Sequence, residues 1–387
     1  MDIKNDHRYA INLNVRGIQP SATLRINELS NQLRSEGKDI IKLGLGQSPF
    51  PVPDRVVDAL KEHAHEKDYL PVKGLKGLRE AIAGYINRSE RMRCTWEDVL
   101  IGPGSKELLF MLQLAYYGDL LIPRPSWVSY APQARIIGRS VHWLPTHAEN
   151  NWQLTAEELD IICRDDPSRP RILILNYPSN PTGCTYTDDQ LLAIANVARK
   201  YKLILLSDEI YGEVHFEGKH KSIARYYPEG TIISTGLSKW AGAGGWRLGT
   251  FIFPPELRPL QDAMAIIASE TYTAQLALLE RLQEKTGGHP RELLEVDERV
   301  MLRAEVVDRH EMLPRVRGEK VEGKSSGCGS SHLVLLGQID VDGLRDASRS
   351  EPHLAAHVAV LLVCHTQERL VTLHTKRVHR RIGRLAG

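Results

Sequence analysis

Between residues 20 and 272, short apolar runs alternate with stretches whose apolar residues recur at helical spacing, and this alternation constrains the fold more than any other feature. The runs at 98–101, 120–122, 172–175, 203–206, 232–234 and 249–253 are too short for helices. They are mostly apolar throughout, as strands buried on both faces must be. Between them, spacing near 3.6 predicts helices over 24–35, 54–66, 75–88, 106–117, 188–201 and 256–269, with Thr187 placed to open the fifth. Strands and helices in alternation imply an α/β domain with three layers, a mainly parallel sheet covered by helices on both faces.

In such sheets, ligands bind beyond the carboxyl ends of the strands, so the residues that follow each apolar run are the first place to look for chemistry. After 172–175 comes Asn176-Tyr-Pro-Ser-Asn180-Pro-Thr-Gly183; after 203–206 comes Ser207-Asp208-Glu209-Ile210-Tyr211; after 232–234 come Leu237-Ser238-Lys239. Eight residues beyond the lysine stands Arg247. Each motif alone has a plain reading: a turn, a helix cap, a solvated lysine, one half of an ion pair. Their order and spacing make the case.

Asn-Pro-Thr-Gly, then Asp-x-x-Tyr, then Ser-Lys, then Arg resembles the fold-type-I pyridoxal-phosphate enzymes, and within them the aspartate aminotransferase family (class I/II). The motifs carry this resemblance from Pro20 to about Thr273. Further segments fit: the glycine segment around Gly46, whose backbone lies against the substrate in the family; Tyr69 followed by Gly74 and Leu78-Arg79; Gly104-Ser105-Lys106 opening a helix; and Pro125-Ser126-Trp127.

The resemblance implies pyridoxal 5'-phosphate as cofactor, with Lys239 as the amine that forms a Schiff base with its aldehyde and then carries the proton transferred in transamination. It implies that Asp208 keeps the pyridine nitrogen protonated, that Asn180 and Tyr211 bond the ring hydroxyl, and that Trp127 stacks on the ring. Substrate would meet Gly46 and Asn180. The phosphate would take the amides of Ser105 and Lys106 after Gly104, the hydroxyls of Ser105 and Ser238, and the fork of Arg247. Tyr69 would reach the neighbouring active site of a homodimer. The family often has a second serine where this chain has Gly236, so weaker phosphate binding is expected, with Ser234 a poorer substitute.

The implied reaction moves an amino group between an amino acid and a 2-oxo acid. Two alternatives share the same motifs: a carbon–sulfur β-lyase of this fold, and a catalytically dead homologue. The expected organisation is an N-terminal segment over 1–45 contributing to a small domain, a large cofactor-binding domain over 46–288, and a small-domain position over 289–387.

That last stretch is atypical. The 5 Phe, 6 Trp and 13 Tyr all lie at or before Tyr272, and eight of the 15 His lie after it. A second domain built without aromatics lacks the side chains that dominate cores, so a change of reading frame close to Thr273 is expected, the alternative being a divergent tail such as an interaction segment. The family's carboxylate-binding arginine has only weak candidates there, Arg377 and Arg381.

Composition narrows the partners. A formal charge of +2 gives no pull toward nucleic acid, and the basic cluster over 376–384 lacks interleaved aromatics. The longest apolar stretch, 358–364, is far short of the ~20 residues that cross a bilayer, so no membrane association is expected. Five scattered cysteines without a C-x-x-C pair argue against a metal site or disulfide framework and for the reducing cytoplasm. His353 and His357 have ligand spacing but no third partner motif, so no metal is expected.

Overall fold

The computed structural model describes residues 11–42, 44, 46–214 and 220–272. All the expectations about the tail, including Arg377, Arg381, His353 and His357, lie outside the described residues.

Among the described residues, seven strands form one sheet: β1 Val99–Gly102, β2 Asp119–Pro123, β3 Val141–Leu144, β4 Arg171–Asn176, β5 Ile204–Asp208, β6 Thr231–Gly236 and β7 Gly249–Ile252. Their order is β1-β7-β6-β5-β4-β2-β3. Strands β3, β2, β4, β5 and β6 run parallel, while β7 is antiparallel to both β6 and β1. The central strands β4 and β5 are buried along almost their whole length, as their unbroken apolar runs required.

The described residues also form eight α-helices: α1 Ala22–Ser35, α2 Asp54–Glu62, α3 Lys76–Glu90, α4 Ser105–Ala115, α5 Tyr130–Ile136, α6 Ala156–Arg164, α7 Asp188–Lys200 and α8 Arg258–Thr271. Leu108, Leu109 and Leu112 of α4, Tyr130 and Ala134 of α5, and Met264 and Ala268 of α8 pack on one face of the sheet. Leu159 of α6 and Leu191, Ile194 and Ala198 of α7 cover the other. The result is the three-layer α/β/α arrangement that the alternation implied. Thr187 caps α7 as expected, accepting from the Gln190 amide while the Gln190 side chain returns to the Thr187 amide.

Four elements differ from the sequence reading. Strand β3 sits at the sheet edge with only Leu144 buried, so it has no continuous apolar run to betray it. Helices α5 and α6 are short, although Thr155-x-x-Glu158 is a capping box that could have marked α6. Helix α2 stops at Glu62, four residues before the expected end. Among the described residues, no helix is long and apolar enough to cross a membrane and no group of side chains could hold a metal ion.

Candidate active site

The parallel strands β4, β5 and β6 all end at the same rim, which brings together residues far apart in sequence. At the end of β5, Asp208 is 3% exposed. Its carboxylate accepts from the Tyr130 hydroxyl at 2.6 Å and more weakly from Ser234 Oγ at 3.4 Å. Burial pushes the carboxyl above its usual range, and the hydrogen bonds from Tyr130, the Ile210 amide and Ser234 only partly offset this. A buried carboxylate that its own neighbours do not fully stabilise is suited to a cationic partner.

Lys239 lies three residues past the end of β6, and its amine donates to the Gly46 carbonyl at 2.9 Å while standing 5.3 Å from the centre of the Tyr211 ring. Burial lowers its pKa; Asp208 opposes that effect and Arg247 adds to it. The neutral, nucleophilic amine is therefore more accessible than on a surface lysine. Asn180 donates to the Tyr211 hydroxyl at 3.4 Å, and its own amide is held by Asn176 Oδ1 at 2.7 Å. Asn176 in turn donates to the Asp208 carbonyl at 2.9 Å, which ties the ends of β4 and β5 together. Trp127 packs edge-on against Tyr130, with ring centres 5.2 Å apart.

A second cluster meets at the start of α4. This helix has no capping side chain, so its first amides, those of Ser105 and Lys106, have no partner within the helix. Arg247, in a left-handed conformation at φ 61°, reaches across to this turn and donates to the carbonyls of Gly244 at 2.7 Å and Pro103 at 3.3 Å. Glycine is required twice here. A Cβ on Gly104, itself at φ +95°, would lie 2.7 Å from the guanidinium carbon; one on Gly249 would lie 2.8 Å from the Gly104 Cα. Free helix amides beside an arginine fork form a cradle for a dianion. Ser238 is half-buried nearby, its carbonyl against Gly244.

Gly249→Ala should therefore lower stability by about 1–3 kcal/mol, because backbone meets backbone and no flexible side chain can yield. Denaturant unfolding measures this. A loss of only a few tenths would show that the turn can move aside.

Two expectations need adjusting. Ser234 is fully buried and bonds Asp208, so it serves the carboxylate end of the site and cannot replace a phosphate-binding serine. The serine missing at 236 has a steric cause: Gly236 pairs with Gly249, and a Cβ there would be 2.6 Å from the Leu248 carbonyl. Lys106, cited for its amide, also places its ammonium 5.6 Å from the Trp127 ring centre. Tyr69 is 79% exposed and has no hydrogen bond to the other site residues among those described.

Sequence reasoning missed Tyr130. Its signal was present: a tyrosine three residues after Trp127, on a short helix, whose hydroxyl needs a partner once the ring is buried. Tyr130→Phe keeps the ring and removes one donor, so the Asp208 carboxyl should titrate at still higher pH than in the parent protein. Carboxyl-region infrared or carbon NMR titration reads this. An unchanged Asp208 would mean that the 2.6 Å contact contributes nothing electrostatically.

The sheet order and the residues gathered at its rim define the large domain of a fold-type-I pyridoxal-phosphate-dependent transferase. The comparisons agree. The family described as "Aminotransferase class I and II" matches residues 38–301, so similarity continues past Thr273, where the aromatics stop. The aspartate aminotransferase of Bacillus sp. strain YM-2 is 33% identical over 61% of this chain and 62% of its own length. The aspartate/prephenate aminotransferase of Thermus thermophilus is 34% identical over 69% of this chain and 71% of its own. The solved structure of aspartate aminotransferase from Thermus thermophilus with maleate superposes with a TM-score of 0.68 at 31% identity, covering 77% of this chain and 78% of that one. That from Rhizobium meliloti gives 0.68 at 27% identity, covering 77% and 76%. The chain belongs to the class I and II aminotransferase family. It spans 62% of the length of the Bacillus relative.

Proposed function

We propose that this chain is a pyridoxal-phosphate-dependent aminotransferase, acting between an amino acid and a 2-oxo acid. The observation that carries the reading is the placing of Lys239 beside Gly46 and Tyr211, with the buried carboxylate of Asp208 and the Arg247–Ser105 cradle at the same rim. The donor set fits pyridoxal phosphate: a primary amine of lowered pKa for the aldehyde, a buried carboxylate for a cationic ring nitrogen, and a helix N-terminus with an arginine fork for the phosphate. When bound, that group supplies an aldehyde and a ring able to take up the electron pair left by a departing α-proton.

The chain's own residues do the rest. Lys239 would hold the group through its aldehyde and would carry the proton at Nζ. Asp208, supported by Tyr130 and Ser234, would favour a positive charge on the ring nitrogen. Asn180 and Tyr211, already joined to each other, would bond the ring hydroxyl, and Trp127 would cover the ring. The named relatives are all aminotransferases, which favours this reaction over a β-lyase and makes aspartate the first amino donor to test. A homodimer, with Tyr69 reaching the neighbouring subunit, is proposed with it and draws on that residue's exposure. A cytoplasmic location is also proposed, since Cys94, Cys163 and Cys184 are free thiols.

The test is to add pyridoxal phosphate, look for a visible absorption band, and reduce with borohydride. Peptide mapping should find the label on Lys239. A label on another lysine, or no band in a folded sample, would refute the reading.

A further inference from the structure

On the face of the sheet opposite the site lies a buried ionic cluster that the proposed reaction does not use. Side chains alternate along a strand, so while Asp208 faces Tyr130, its neighbours Ser207 and Glu209 face the other way. Glu209 is 6% exposed. One of its oxygens accepts from Ser207 Oγ at 2.6 Å and Ser222 Oγ at 2.5 Å; the other lies 2.7 Å from His220 Nε2. The imidazole is about a tenth exposed, leans on the Tyr177 ring at 5.2 Å, and has its Nδ1 buried without a hydrogen-bond partner among the described residues. Gly212 leaves it room: a Cβ there would be 3.1 Å from the imidazole Cδ2.

The cluster grips the segment that carries two proposed cofactor contacts. Glu209 stands between Asp208 and Tyr211, and its carbonyl accepts from the Gly212 amide at 2.8 Å, closing the turn. Ser207 Oγ also lies 3.2 Å from the Tyr177 hydroxyl, and the Tyr177 amide donates to the Asp208 carbonyl at 3.3 Å.

We propose that His220 and Glu209 form a buried ion pair that fixes the Asp208–Tyr211 turn from the opposite face of the sheet, making His220 a positioning residue for the cofactor site. The proposal rests on the functional reading above and adds a residue and a pH dependence to it. His220 is the only ion-pair partner of Glu209 among the described residues. The other charges facing it are Glu90, already paired with Arg225 at 2.8 Å, and Glu213, which accepts from the Tyr85 hydroxyl. Lys221, next in sequence, is paired with Asp188. Burial draws the imidazole pKa down, but Glu209, with help from Glu90 and Glu213, outweighs it and holds the group above its ordinary value. A raised folded-state pKa means that the pair contributes fully below the ordinary imidazole value of ~6.5 and fades as pH rises through the raised one.

Two measurements test this. In the cofactor-free protein, NMR titration of labelled histidines should find His220 titrating above ~6.5, and Glu209→Gln should bring it down. Pyridoxal phosphate affinity should then be measured across pH for the parent and His220→Gln. The variant should bind roughly tenfold more weakly at pH 6, the scale on which outer partners of a binding group act, and the gap should close at alkaline pH. Lys239 chemistry is common to both proteins, so the ratio isolates His220. The double variant with Glu209→Gln should bind better than the two single losses combined predict. A gap that does not change with pH, additive losses, or a His220 that titrates at or below ~6.5 would overturn the proposal. If neither protein binds the cofactor, the functional reading fails and the positioning role fails with it, whereas the NMR arm still decides whether the ion pair exists.

Discussion

Lys239→Ala should reduce exchange of the substrate α-proton by about 10²–10⁴-fold, the usual contribution of a positioned acid–base group. The side chain is held at 2.9 Å from the Gly46 carbonyl and burial lowers its pKa, so its amine is placed and takes its neutral, proton-accepting form more readily than an ordinary lysine. Loss of deuterium from α-deuterated aspartate, followed by proton NMR with saturating pyridoxal phosphate, measures the effect. Exchange at the parent rate would show that another base does the work and would remove Lys239 from its central role.

Asp208→Asn should separate function from stability. Exchange of the α-proton should fall by about 10²–10³-fold, because the charge that would hold a proton on the ring nitrogen is gone while the shape of the site is kept. Stability of the cofactor-free protein should move the other way. Burial raises the Asp208 pKa, so ionising it costs folding free energy, and that cost appears as pH rises through the raised folded value. The variant should therefore be the more stable protein at pH 8, and its advantage should shrink toward pH 4. Thermal unfolding at both pH values tests the sign. A variant less stable than its parent at pH 8 would mean that the hydrogen bonds from Tyr130 and Ser234 outweigh the cost of burial. Sites that store such costs are common where a charged ligand is to be received.

Much of this site could be read from sequence because its residues follow directly on apolar strands. Asn180, Asp208 and Lys239 are each announced by a run of buried aliphatics and a turn. The sheet's central strands were legible for the same reason. What could not be read depends on contacts across the chain. Tyr130 meets Asp208 over 78 positions, and Gly236 excludes a side chain only because β7 closes against it. The edge strand β3 was hidden because Val141 and Trp143 are only partly buried, which leaves no hydrophobic run to notice.

The place of β7 has a consequence for how the chain is made. Among the described residues β7 is the only strand beside β1, so Val99–Gly102 must wait for its strand partner until Gly249–Ile252 leaves the ribosome. At ~5–20 residues per second that delay is on the order of ten seconds. The parallel strands β2 to β6 are complete earlier, and nascent chains halted before Gly249 should hold a partial sheet without Arg247 seated at the Gly104 turn. Closing the last strand and seating Arg247 at the Gly104 turn are thus one late event in the making of this sheet.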